Sequence, residues 1–250
     1  MCIKNKNICV DVKGLKKSFE DHNGNKIVVL EELDFVAKAG EITIIMGPSG
    51  CGKSTLLNIL STIDNSFDDG SVYVMDTNIK NLNESQKADF RNKHIGFIFQ
   101  SHELISEFNV LENCAIPLKL KGLKKDEAYA EAIKLLNLFN IPDINHKKLP
   151  RELSGGQQQR VGIIRAMINR PNIIFADEPT GNLDRLSRDI VNEELKRLIK
   201  PTKHNPNGIA LVIVTHDDIY KKDDFSHSVY EFQEKDISSD TIRYKLVHVR

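Results

Sequence analysis

The chain has 250 residues, 40% hydrophobic and 28% charged, with Lys plus Arg equal to Asp plus Glu at 35 each. That composition is enough to bury a core in one large domain or two small lobes, and it argues against disorder. A formal net charge of zero supplies no bulk basic field for nucleic acid or anionic lipid, so partners are selected by local features.

The first residues, MCIKNKNICVDVKG, lack the apolar stretch of a signal peptide, and the longest apolar runs, such as ITIIM and ALVIV, are far too short to span a bilayer. A soluble, cytoplasmic chain is expected. Cys2, Cys9, Cys51 and Cys114 form neither a C-x-x-C pair nor a secreted-type framework, which predicts free thiols. Residues 8 to 46 read as short strands: Ile8, Val10 and Val12 alternate, Asn23-Gly24 marks a turn, and IVVL and ITIIM are apolar runs. KSTLLNIL at 53–60 reads as a helix, Asp69-Gly70 as a turn, SVYVM as a strand, and IGFIF at 95–99 as a buried strand ending at Gln100. Between Gln100 and Leu153, Ala128, Ala132, Leu135, Leu136 and Phe139 recur at helical spacing while Pro117, Pro142 and Pro150 punctuate the segment, predicting a mostly helical insertion. After Gly156 a helix to about Asn169, the strand NIIFAD, the helix DIVNEELKRLIK and the strand GIALVIV restore α/β alternation. KPTKHNPN at 200–207 is a polar loop, and EKD between VYEF and IRYKLVHV predicts a terminal hairpin.

GPSGCGKST, residues 47–55, follows a buried strand and opens a helix, the context of a phosphate-binding loop. Its members are Gly47, Pro48, Ser49, Gly50, Cys51, Gly52, Lys53, Ser54 and Thr55. Gly47, Gly50 and Gly52 let the backbone curl so that N–H groups converge on a β-phosphate, Lys53 reaches the β- and γ-oxygens, and the Ser54 hydroxyl is placed to ligate Mg²⁺. Cys51, beside a helix N-terminus, reads equally as a thiol of lowered pKa and raised reactivity or as a small, inert loop residue. IIFADEP at 173–179 ends an apolar strand in two carboxylates that alternation sends opposite ways. Asp177 then serves Mg²⁺ through water, and Glu178 accepts a proton from the attacking water. Taken alone, the pair reads equally well as a helix cap or a solvated turn. LSGGQQQR at 153–160 places Ser154, Gly155, Gly156 and Gln157 at the start of a helix, where N–H groups receive an anion and Ser154 also caps its own helix.

In their order and spacing, Lys53, Gln100, LSGGQ, DEPTGNLD and THD resemble the nucleotide-binding subunit of ABC (ATP-binding cassette) transporters, over residues 8 to about 220. The resemblance implies an α/β fold, a RecA-like P-loop NTPase lobe with an N-terminal antiparallel β edge and a helical insertion subdomain. Residues 8–100 and 155–225 form the core in this scheme, 101–154 the insertion, and 226–250 a C-terminal extension. The resemblance further implies ATP hydrolysis with Mg²⁺, Phe19 stacked on adenine, Gln100 sensing Mg²⁺ and the γ-phosphate, Asp184 at a dimer interface, and His216 hydrogen-bonded to the γ-phosphate. Two copies pair head to tail in such proteins, so that Ser154, Gly155, Gly156 and Gln157 of one complete the ATP site at Lys53 of the other. The implied partners are a second copy and a separate integral membrane permease on the inner face of the cell membrane, with no nucleic acid. QSHELISEFNVLENCAIPLKL and PTGNLD resemble the branch that includes lipoprotein-releasing, macrolide-exporting and cell-division ATPases. The apolar residues Leu104, Ile105, Phe108, Leu111 and Ile116 read equally as a docking face for a permease helix or as core. The alternative function is a conformational switch in a cell-wall or assembly complex.

Overall fold

The computed structural model describes residues 7–64, 66–181, 183–203, 205–221, 225–238 and 241–250. The chain enters as two long antiparallel strands, β1 (Ile8–Glu20) and β2 (Lys26–Lys38), joined through a turn in which Asp21 Oδ1 accepts from the N–H groups of Asn23 and Asn25. The fully apolar β3 (Ile42–Met46) follows, then α1 (Lys53–Leu60), β4 (Asp69–Val74) and the short β5 (Thr77–Asn78). A polar helix, α2 (Glu84–His94), was not anticipated, because ESQKADFRNKH buries only Lys87 and Phe90 and so has almost no apolar period. A capping box between Asn83 and Gln86 starts it.

After β6 (Ile95–Ile98) come α3 (Val110–Leu120) and α4 (Lys125–Leu138), then α5 (Gly155–Met167), β7 (Ile173–Asp177), α6 (Arg185–Leu198) and β8 (Ala210–Thr215). Pro117 does not punctuate the segment: it sits inside α3. Burial of Val110, Cys114, Ala115 and Leu118 on one face of that helix outweighs the missing N–H. The chain ends in β9 (Ser228–Ser238) and β10 (Thr241–His248), an antiparallel pair. β9 runs through Glu234-Lys235-Asp236, where the sequence placed the turn, and residues 239–240 between the strands lie outside the described residues.

β2, β1, β4 and β5 form one antiparallel sheet in that order; the other runs β10-β9-β3-β8-β7-β6, with β3 parallel to both β8 and β9. β9 is therefore an integral strand of the central sheet and no appendage. Alternation along the central strands builds two cores. Ile42, Ile44, Ile174, Ala176, Leu211 and Ile213 face α3 to α6, whereas Ile45, Ile173, Phe175, Val212 and Val214 face α1 and the antiparallel sheet. Among the described residues no helix is long and apolar enough to cross a membrane.

Candidate active site

The carboxyl ends of β3, β8 and β7 lie side by side, with Met46 opposite Thr215 and Asp177 opposite Val214. In open α/β sheets ligands bind outside such ends. The loop after β3 is residues 47–52, and its geometry is set by packing on both flanks. A Cβ on Gly47 would lie 2.7 Å from both Cys51 Sγ and Phe232 Cβ of β9, and one on Gly52 (φ 104°) would lie 2.8 Å from Leu30 Cδ2 of β2. Only glycine fits either position. Pro48, Ser49 and Gly50 are exposed at the loop's crest, while Thr55 is half-buried in α1. Lys53 Nζ donates to the carbonyls of Gly47 and Pro48, each at 2.8 Å, so the ammonium lies across the loop.

Ser54 Oγ donates to Asp177 Oδ2 at 3.3 Å, joining the loop to β7. Burial raises the proton affinity of Asp177, and the charge of Glu178 adds to this, while the Ser54 hydroxyl and Lys53 oppose it. Glu178 points elsewhere because its backbone turns into the left-handed region at φ 44°, not through strand alternation. Its N–H donates to Val214 O at 2.9 Å; its Oε2 accepts from Thr215 Oγ1 at 2.9 Å, and its Oε1 from the His216 N–H at 3.0 Å. His216 Nδ1 lies 2.6 Å from the same Oε1, and a proton on Nδ1 is the one a carboxylate accepts, which leaves Nε2 free on a side chain 71% exposed. Glu178, Thr180, Gly181, Thr215, His216 and Asp217 line a cleft of about 370 Å³ here.

LSGGQQQR is built differently. Ser154 Oγ accepts from the Gln157 N–H at 3.3 Å and Gln157 Oε1 from the Ser154 N–H at 3.0 Å, a capping box that starts α5. Gln158 Nε2 donates to Leu153 O at 3.2 Å, and the buried Gln159 bonds His102 Nδ1. Ser154 and Gly155 are exposed, and Gly156 is buried against Ser187. Asp184 caps α6, accepting from the Ser187 N–H at 3.0 Å and from Ser187 Oγ at 2.7 Å. Among the described residues no hydrogen bond joins residues 154–157 to residues 47–55.

A model of the ABC transporter family matches residues 30–181. The chain belongs to the ABC transporter ATP-binding family. It is 42% identical to the lipoprotein-releasing system ATP-binding protein LolD of Bacteroides fragilis over 85% of this chain and 93% of that protein. It is 45% identical to an ABC transporter ATP-binding protein, MJ1508, of Methanocaldococcus jannaschii over 77% and 82%. The dimeric post-hydrolysis structure of the ATP-binding cassette MJ0796 bound to ADP and Pi superposes with a TM-score of 0.78 at 34% identity, covering 89% of this chain and 93% of that one. As an ABC ATPase the chain binds and hydrolyses ATP.

In this ABC ATPase the structure favours the inert reading of Cys51. Cys51 is 1% exposed, and burial pushes its thiol pKa up despite the neighbouring Lys53. Cys9 and Cys114 are buried free thiols as well; Cys2 lies outside the described residues, as does Asn182 of GNLD. Phe19 lies on β1 at 45% exposure, with Lys17 Nζ 4.6 Å from its ring centroid and Ile27 of β2 opposite. Gln100 is exposed just beyond β6 and makes no hydrogen bond within the described residues. The segment after it is tied to α5, because Arg165 donates to the carbonyls of His102 and Glu103. Leu104 and Leu111 pack partly into the helical core; Ile105 is exposed, and Phe108 and Ile116 are half-buried. Sequence reasoning missed Thr215, although the threonine of THD was the available signal, and it missed Tyr220, which carried none.

Proposed function

We propose that two copies close head to tail on two Mg·ATP and drive a separate membrane permease, of the export or lipoprotein-release type, from the inner face of the cell membrane. One observation carries this reading. Lys53, Ser54, Asp177, Glu178 and His216 gather at one end of the sheet, while Ser154 and Gly155 present a helix N-terminus to solvent and, among the described residues, make no hydrogen bond to residues 47–55. A second copy supplies the missing half. The relatives support the same reading, being dimeric in one case and named for lipoprotein release in another.

In each composite site backbone N–H groups of the 47–55 loop and the Lys53 ammonium bind the phosphates, and the part-exposed ring of Phe19 stacks on adenine. Ser54 and Asp177 suit Mg²⁺: both present oxygen, and the half-buried carboxylate with raised proton affinity gains from a cation. Among the described residues no three His, Cys, Asp or Glu side chains gather as a metal cluster; the oxygens of Ser54 and Asp177, with Gln100, would hold the ion. Mg²⁺ would supply charge neutralisation. A carboxylate accepts at about four positions, and Thr215 and His216 occupy three on Glu178, leaving one for a proton of the attacking water. His216 Nε2 then contacts the γ-phosphate, Gln100 senses that phosphate and the metal, and Ser154 to Gln157 with Asp184 of the second copy close the site.

Co-purification from detergent-solubilised membranes tests the transport assignment. An integral membrane partner whose recovery falls on Ile105→Asp, with ATP binding intact, supports the permease reading. Recovery of only soluble partners supports the switch in an assembly complex.

A further inference from the structure

We propose that Tyr220 is a positioning residue for hydrolysis, whose hydroxyl closes a ring of polar links that keeps Glu178 and His216 in register; this rests on the reading of Glu178 as base. Tyr220 is fully buried, in a 3-10 turn (Asp218–Lys221) four residues beyond His216. Its hydroxyl lies 2.7 Å from Thr180 Oγ1 and donates to Asn192 Oδ1 of α6 at 3.0 Å, which makes Thr180 the donor in the first bond. Thr180 stands two residues beyond Glu178. The 2.6 Å Glu178–His216 contact and the Thr180–Tyr220 bond are therefore two rungs between the same two segments, 178–180 and 216–220.

Such rungs have a purpose here, because Glu178 holds a left-handed backbone that a non-glycine residue keeps only when its surroundings over-determine it. A second strap runs parallel. Arg188 of α6 pairs with Asp217 at 3.1 Å, the Asp217 N–H donates to Thr215 Oγ1 at 3.1 Å, and Thr215 Oγ1 donates to Glu178 Oε2. α6 thus grips the 216–220 segment at two points, through Arg188 and Asn192, and reaches 178–180 only through the side chains of Thr215 and Tyr220. Burial pushes the Tyr220 hydroxyl up to about 12, so it stays protonated and donating across any working pH. Packing alone needs no hydroxyl at this point: the ring already meets Phe225 edge-on at 4.7 Å, and a buried O–H is costly unless bonded.

Tyr220→Phe keeps the ring and removes the rung. We expect kcat to fall on the order of 10-fold, as for a slight misplacement of a reacting group, with KM and ATP affinity changed by less than about twofold. Thr180→Val should lose as much, Thr180→Ser should retain turnover, and the Tyr220→Phe/Thr180→Val double variant should be no slower than either single one. A folded Tyr220→Phe with wild-type kcat overturns the proposal, as does a Thr180→Ser as slow as Thr180→Val. Where Tyr220→Phe does not fold, the two Thr180 variants decide alone. Glu178→Gln, measured alongside, separates the two layers: full turnover there removes the base reading itself, while a slow Glu178→Gln beside a fast Tyr220→Phe removes only the positioning role.

Discussion

The strand-end cluster and the LSGGQQQR helix both meet phosphate in this reading, yet they spend their polar groups in opposite ways. At the strand ends, side chains from distant parts of the chain bond one another: Ser54 reaches Asp177 across 123 positions, and Glu178 reaches His216 across 38. At the start of α5 every side-chain bond of Ser154 and Gln157 stays within three residues, and Ser154 and Gly155 remain exposed. The first region is a device assembled by the fold. The second is a self-sufficient helix cap, stable without a ligand and therefore ready to be offered to another molecule. A split site needs both kinds of construction, since the half that holds nucleotide must be preorganised and the half that is lent must not depend on it.

The largest expected effect comes from damaging the assembled half. Glu178→Gln should slow hydrolysis on the order of 10²- to 10⁴-fold, because the base is lost while Oε1 can still accept from His216. ATP then accumulates at the closed interface, and gel filtration should show an ATP-dependent dimer; rapid turnover by this variant would move the base elsewhere. Next in size is damage to the lent half. In the Glu178→Gln background, Gly155→Asp should weaken that dimer on the order of 10²-fold by setting a carboxylate against the partner's phosphate, while monomeric ATP binding survives. Gly155 is the clean position, since a Cβ there meets only Leu183 Cδ2 at 4.0 Å and an acidic residue in the first turn favours the helix. Gly156 is not, because a Cβ would lie 2.8 Å from Ser187 Oγ and would push α5 off its own α6. Loss of monomer ATP binding in Gly155→Asp would mean that the segment serves its own loop.

This contrast also marks what the sequence reveals. Local constructions were legible: the Ser154 cap and the apolar runs of β3, β7 and β8 depend on neighbours a few positions away, and the glycines of 47–52 were legible as a motif although distant Phe232 and Leu30 are what exclude side chains there. The polar α2, the helix-internal Pro117 and the position of the β9–β10 turn were misread or missed, because tertiary packing decides them. Roles set by distant contacts were harder still. No periodicity reveals that Tyr220 meets Thr180 or that Gln159 holds His102. The order of strands in the sheet supplied that information, and a single sequence does not print it.

Cys51 tests how closed the assembled half is. A crest of exposed Pro48, Ser49 and Gly50 covers a thiol packed against Gly47, so maleimide should label native Cys51 at least about 10-fold more slowly than the unfolded chain, with or without Mg·ATP. Peptide mass spectrometry reads the site. Rapid native labelling that ATP blocks would show the loop to be open, and the contrast with the exposed Ser154 end would shrink.

The smallest effect, within about 1 kcal/mol, concerns Asp177 and has a sign that separates cost from function. Its folded pKa is raised above the ordinary aspartate value, chiefly by burial, so between that value and the folded pKa the folded chain binds more protons than the unfolded one. Stability then falls as pH rises through this window and stays lowered above it, because the unfolded state ionises the group more readily. Asp177→Asn removes that penalty, and the Asn oxygen still accepts from Ser54. Without nucleotide the variant should therefore melt higher than wild type at pH 7, with the difference shrinking as pH falls toward 4. Mg·ATP should reverse the order, since a cation bound beside the carboxylate repays its ionisation and the neutral amide offers less. Thermal melts of the two proteins at several pH values, with and without Mg·ATP, measure both signs. A wild type that is the more stable protein at pH 7 without nucleotide would show Asp177 to be a structural anchor of β7, not a charge held in reserve for the metal.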